Sequence, residues 1–232
     1  MATHTDSTTT TTTPDPHIFP EMAPAVAGQI AAPILYLPPL LSSLPSCHHN
    51  AAEPCHGGHF PMKPLHTEVR LPEIDAASLS LHHALHHFRP LDRQYSSKEY
   101  AEAFNWDEIM LPEDEEREWY CVAFRSKRKR GSNSEALYVA DAKAHDEAIR
   151  NGGLIMYRYG VPDERTGMNL ATCIWQSRKH AVTGASKPSH VHAMRLTAES
   201  YDVYRLERYV LRKAAGERAV TVEEYRGGEV GW

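Results

Sequence analysis

The chain has 232 residues, 41% of them hydrophobic and 24% charged, with a formal net charge of −5 and a mean hydropathy of −0.51. That fits a soluble protein of one domain plus a substantial polar segment. Residues 1–112 carry five Lys/Arg against twelve Asp/Glu, net −7, and residues 113–232 carry a net +2. Neither half is basic enough to neutralise many phosphates, so no nucleic-acid partner is expected.

No Lys or Arg precedes Lys63, which speaks against a secretory signal or an Arg-rich presequence. The apolar run from Ile30 to Leu44 is broken by Pro33, Pro38 and Pro39, and it is shorter than the ~20 residues a spanning helix needs. No membrane association is expected. Four cysteines, Cys47, Cys55, Cys121 and Cys173, are too sparse for a disulfide framework. They point to a reducing compartment, the cytoplasm or the nucleus.

In chain order, residues 1–66 are rich in Thr, Pro, Ala and His, opening with the Thr8–Thr13 run. Frequent prolines prevent continuous helix or central strand, and the segment buries too little apolar surface to offset its chain entropy. It is expected to be a disordered tail, with Ile34–Leu44 as the stretch best suited to dock. Cys47-His48-His49 and Cys55-His56-x-x-His59 offer zinc-type ligands, but their spacing matches no finger, and no metal site is expected.

Residues 67–112 read as a helical arm. Asp75 is a helix N-cap, and Leu81, Ala84, Leu85 and Phe88 form an apolar stripe that Pro90 ends. His82/His86 and His83/His87 are i, i+4 pairs on what reads as the polar face. Ser96 with Glu99 fits a capping box for a second helix, with Tyr100 and Phe104 paired on it.

Residues 113–232 switch to strand periodicity. Strands are expected at 119–125, 154–160, 168–175, 201–213 and 220–225. Leu137–Ala140 fits either the extension of a hairpin or the start of a helix and is read as a short strand capped by Asp141, followed by a helix over 142–151 that Gly152-Gly153 stops. Further helices are expected over 176–185 and 188–200, with Pro188 in a first turn. The order is an α+β, ferredoxin-like β-α-β-β-α-β sheet with an extra C-terminal strand.

Candidate site residues cluster around 169–194. His190 is the candidate acid/base, because an imidazole beside a pocket titrates near neutrality. It is placed beside Met194 on a helix whose inward stripe is read as Val191, Met194, Ala198 and Tyr201, with His192 facing water. Trp175 and Tyr157 are candidate pocket walls, and alternation puts Tyr157 with Ile155 and Tyr159. Arg178 and Arg208 are the candidate partners of an anionic group. Each of these side chains also fits plain structural packing. The patch Lys127–Arg130 reads as a solvated turn, and no phosphate loop, nucleophile elbow or metalloprotease motif occurs.

Two resemblances follow from these residues. Trp175-Gln-Ser-Arg178 at a strand end, then Pro188-x-His190-x-x-Ala-Met194, is similar to dimeric α/β-barrel proteins related to small monooxygenases. That resemblance implies two sheets packed into a barrel, a homodimer, and a pocket between sheet and helices. More specifically, Glu116–Tyr120, Phe124–Arg128, Ala140-Asp-x-x-Ala-His145, Gly152–Tyr157, Asn169–Trp175 and Leu206–Tyr209 resemble a fungal family of uncharacterised proteins, of the UPF0643 type. That family brings no activity, cofactor or catalytic residue with it. The expected function is binding of a hydrophobic or phenolic small molecule, or cofactor-independent catalysis on one. The competing expectation is a non-enzymatic interaction or scaffold domain.

Overall fold

The computed structural model describes residues 35–36, 75–132 and 134–231. The Cys/His cluster and nearly all of the N-terminal tail lie outside the described residues. Of the docking stretch, Leu35–Tyr36 is described, as a two-residue strand, β1, paired with Arg158 and Tyr157.

The sheet has six strands: β1, β2 (Arg117–Arg128), β3 (Leu154–Arg158), β4 (Met168–Trp175), β5 (Tyr201–Lys213) and β6 (Thr221–Glu224). Their spatial order is β1-β3-β4-β2-β5-β6, and every pairing is antiparallel. With helix α3 (Ser134–Asn151) after β2, and α4 (Arg178–Ala185) and α5 (Pro188–Ser200) after β4, the four inner strands have the ferredoxin-like arrangement. The expected extra C-terminal strand is β6, on the β5 edge.

Leu137–Ala140 is not a strand: α3 runs unbroken from Ser134, and Asp141 sits in its third turn instead of capping its start. Helix periodicity in Leu137, Ala140, Ala144 and Ala148, all buried, overrides the short apolar run. Strict alternation also fails in β3, where a bulge between Leu154 and Met156 inserts Ile155. Ile155 therefore packs with Met156 on the face opposite Tyr157.

The sheet is covered on both faces. One face carries residues 75–111. Asp75 caps α1 (Ala76–Ala84), its carboxylate accepting from the Ser78 N–H at 2.8 Å. Leu81, Leu85 and Phe88 are buried as the stripe requires. His82 departs from the polar-face reading: it is 1% exposed, its ring meeting that of His86 at 5.6 Å. The second helix, α2 (Tyr100–Ala103), is one turn, and Glu99 sits at its N-cap without a side-chain bond. The Ser96 capping box does not form, because Ser96 is buried in a separate 3₁₀ turn, Tyr95–Ser97.

These short elements assemble an aromatic slab on the sheet. Tyr100 stacks on Tyr209 of β5 at 4.3 Å and shares a 2.6 Å hydrogen bond with Thr172 of β4. The Arg158 guanidinium, 1% exposed, lies over the Tyr95 and Phe104 rings at 5.0 and 5.2 Å. Arg125 bonds both oxygens of Glu207 at 2.6 and 3.0 Å, while donating to the carbonyls of Ser96 and Lys98. Residues 75–111 supply about half of the residues of the largest core cluster.

The other face carries α3, α4 and α5. Glu147 of α3 caps α5 in place of Lys187, its carboxylate accepting from the N–H groups of Ser189 and His190 at 2.9 and 3.1 Å. The α3–β3 junction turns on Gly153, at φ +81°, where a Cβ would stand 2.3 Å from the His180 ring. Gly153→Ala is expected to lose about 2–4 kcal/mol, from left-handed backbone strain plus overpacking. Chemical denaturation measures this, and an unchanged midpoint would contradict the junction geometry.

Candidate functional site

Between the helical layer and the sheet lies a cavity of about 110 Å³. The sheet contributes alternate residues of one face: Phe124 and Ser126 from β2, Tyr157 from β3, Ala171, Cys173 and Trp175 from β4. Tyr201 and Tyr204 close it from β5. Helix α3 contributes Leu137, Asp141, Ala144, His145 and Ala148, which fall on one helical stripe at spacings of three and four. Helix α5 contributes His190, Ala193, Met194 and Thr197. Met194 is 49% exposed and Tyr204 42%, so they mark the mouth.

The structure brings together three of the five candidate residues. Trp175 is buried, and its indole N–H points to Cys173 Sγ at 3.0 Å. Its ring lies 3.0 Å from where a Cβ on Gly184 would be, so a glycine there lets α4 sit close. Tyr157 lies on the same wall, 6.2 Å from the Phe124 ring and 5.1 Å from that of His145. His190 enters from the first turn of α5, half-buried. Burial pulls its pKa down, while the Glu147 carboxylate pushes it up, so the net direction is downward and the imidazole is neutral at pH 7.

Arg178 and Arg208 are not at the cavity. Arg178 opens α4 and bonds Glu229 at 3.2 Å. Arg208 stands exposed on β5 opposite Val122, sharing a face with Leu206 and Tyr204 but two pleats from the mouth. Both arginines act electrostatically on Tyr120, not on the cavity. The α5 stripe is also shifted from its expected register. Ala193, Thr197 and Ser200 are buried, whereas Val191 and Met194 are exposed. His192 is exposed, as expected.

Sequence reasoning missed Asp141 and His145. His145 is buried, with Nδ1 3.1 Å from the Tyr159 hydroxyl and its ring stacked on Tyr159. Asp141 retains some accessible surface, and it is a cavity-lining residue. Loss of hydration there pushes its carboxyl up to about 7. The same carboxyl raises the Tyr157 and Tyr204 phenols further, after their own burial. The Cys173 thiol is pushed up to about 12 by burial, which keeps it protonated and unreactive. Among the described residues, no three His, Cys, Asp or Glu side chains converge as a metal site, and no helix is long and apolar enough to cross a membrane.

The sequence profile described as PB2B2.08-like matches residues 59–224, more than half of the chain. The chain belongs to this family. A relative from Schizosaccharomyces pombe, UPF0643 protein PB2B2.08, is 33% identical over 164 residues, covering 62% of this chain and 74% of its own. The profile spans both the 75–111 slab and the cavity of this PB2B2.08-like chain. Solved structures show fainter likenesses. A putative antibiotic biosynthesis monooxygenase from Nitrosomonas europaea is 14% identical, with 39% of this chain and 94% of the other aligned, at a TM-score of 0.34. SnoaB, a cofactor-independent oxygenase from Streptomyces nogalater, is 9% identical, with 44% and 99% aligned, at 0.35. Protein SO0527 from Shewanella oneidensis is 21% identical, with 43% and 96% aligned, at 0.36. At such scores the oxygenase names say nothing of what this chain binds.

Proposed function

We propose that this chain binds one small apolar or phenolic molecule in the cavity between the sheet and helices α3 and α5, without a cofactor. His190 exchanges a proton with it, and Trp175 and Tyr157 flank its ring. The observation that supports this most is the convergence of those three side chains on a cavity with a mouth at Met194 and Tyr204. An apolar cavity of ~150 Å³ holds a benzene ring. At about 110 Å³, this one suits a single compact ring, with any remaining part of the ligand leaving through the mouth. A neutral imidazole at the wall is poised to accept a proton.

The scaffold reading draws its support from the slab of residues 75–111. It also requires the sheet to leave no cavity, and the helical face has one. The slab bears on assembly as well. Residues 75–111 cover one face of the sheet within the chain, so a homodimer would not pair through that face. The free, buried Cys121 and Cys173 suit a cytoplasmic or nuclear setting.

Titration of the full chain with p-cresol tests the binding reading. The indole signal of Trp175 and the imidazole signals of His190 are expected to move together and saturate, and Ala144→Phe, which fills the cavity, is expected to abolish the movement. Unmoved signals at saturating p-cresol would contradict it.

A further inference from the structure

Given that the cavity is a ligand site, we propose that its ligand carries a small protonated amine, held by the Asp141 carboxylate among aromatic rings. Three observations carry this. Among the described residues no lysine or arginine lines the cavity, and the two arginines expected there are engaged or exposed elsewhere. Its one carboxylate, Asp141, projects from the middle of α3, away from the favourable field of a helix N-terminus. None of the described ion pairs involves it, and removal from water is its sole perturbation, with no compensating hydrogen bond or cation. A carboxylate in such a wall lacks the partner that burial demands, and a ligand cation supplies it.

The surroundings favour the same charge. Phe124, Tyr157, Trp175, Tyr201 and Tyr204 line the cavity, and an ammonium is attracted by the faces of such rings. Sharing the cavity wall with Asp141 are His145 on its own helix, Tyr157 from β3, Cys173 from β4, Tyr201 and Tyr204 from β5, and His190 from α5. Only the two imidazoles among them can become positive. An anionic ligand would face a carboxylate with no fixed cation to offset it.

Proton linkage gives the pH dependence. Above about pH 7 the carboxyl is ionised and accepts the ammonium directly; below it, binding must displace a proton, and affinity falls by up to about tenfold per pH unit. Charging of His190 at low pH repels the cation and acts in the same direction, so the carboxyl is separated from it by substitution.

The test is calorimetric titration of the full chain with benzylamine, p-cresol and benzoate at about pH 8, where the carboxyl is ionised. Benzylamine is expected to bind at least about tenfold tighter than either of the others. Asp141→Asn is expected to remove at least that factor for benzylamine and to leave p-cresol within about twofold, its melting curve showing that it folds. If p-cresol or benzoate binds tighter than benzylamine, or if Asp141→Asn leaves benzylamine binding unchanged, the amine assignment is overturned while the cavity remains a ligand site. If none of the three binds, this assignment and the proposed function both fall.

Discussion

Asp141→Asn is expected to be more stable than the natural chain at about pH 8, and to lose that advantage as the pH falls to about 4. The folded carboxyl is pushed up to about 7 from an ordinary value of 3.8. Below about pH 4 it is neutral in both folded and unfolded chains, so its ionisation costs nothing. Above about pH 7 the folded chain must hold a carboxylate out of water, while the unfolded chain keeps it hydrated. The natural chain therefore loses stability across that window, and the amide variant does not. A displacement of this size corresponds to about 4 kcal/mol at most, and partial contact with water in the cavity reduces the expected gain to about 2 kcal/mol. Titration of the other groups is common to both proteins and largely cancels in the difference. Urea denaturation of the two chains at each pH measures it, and a difference independent of pH would contradict the desolvated placement.

The second large effect lies on the opposite sheet face. Trp119→Ala is expected to cost about 3–5 kcal/mol. Trp119 is 0% exposed in the central strand β2, and its indole N–H donates to Ser78 Oγ at 2.9 Å. Ser78 Oγ in turn donates to Asp75 at 2.8 Å, and Asp75 pairs with Arg117 at 3.3 Å. The truncation thus empties the core and unties α1 from the sheet in one step. Amide hydrogen exchange is expected to show residues 76–88 and β2 losing protection together. Protection lost in 76–88 alone, with the sheet unaffected, would show that the helical segment is an arm and not part of the core.

How much of this was legible in the sequence depended on the range of the interactions involved. The Asp75 cap, the Leu81/Leu85/Phe88 stripe, the strand at 168–175 and the Pro188 start of α5 are local signals, and each forms where the residues place it. The ferredoxin-like order followed from them. What failed depended on tertiary packing. Residues 91–111 hold only short turns, so their aromatic residues gain their places from the sheet and not from periodicity. The Ile155 bulge is invisible to alternation, because the partner strand decides which residue is extra.

The site shows the same division. Trp175 and Tyr157, read from strand positions, line the cavity, while Arg178 and Arg208, read from their chemistry, lie outside its lining. Asp141 was missed through one local error. A cap after a short strand has no place on a helical stripe; in the unbroken helix Asp141 shares the cavity-lining stripe with Leu137, Ala144, His145 and Ala148. The spacing was present in the sequence, but the valine and leucine beside it favoured the strand reading.

The ionisation state of the Asp141 carboxyl can be observed directly. Carbon-13 NMR of the side-chain carboxyl, titrated in the ligand-free chain, is predicted to show a midpoint at about 7 that moves to lower pH when benzylamine is added. A midpoint near the ordinary 3.8, unmoved by the amine, would contradict both the desolvated cavity wall and its assignment as an amine site.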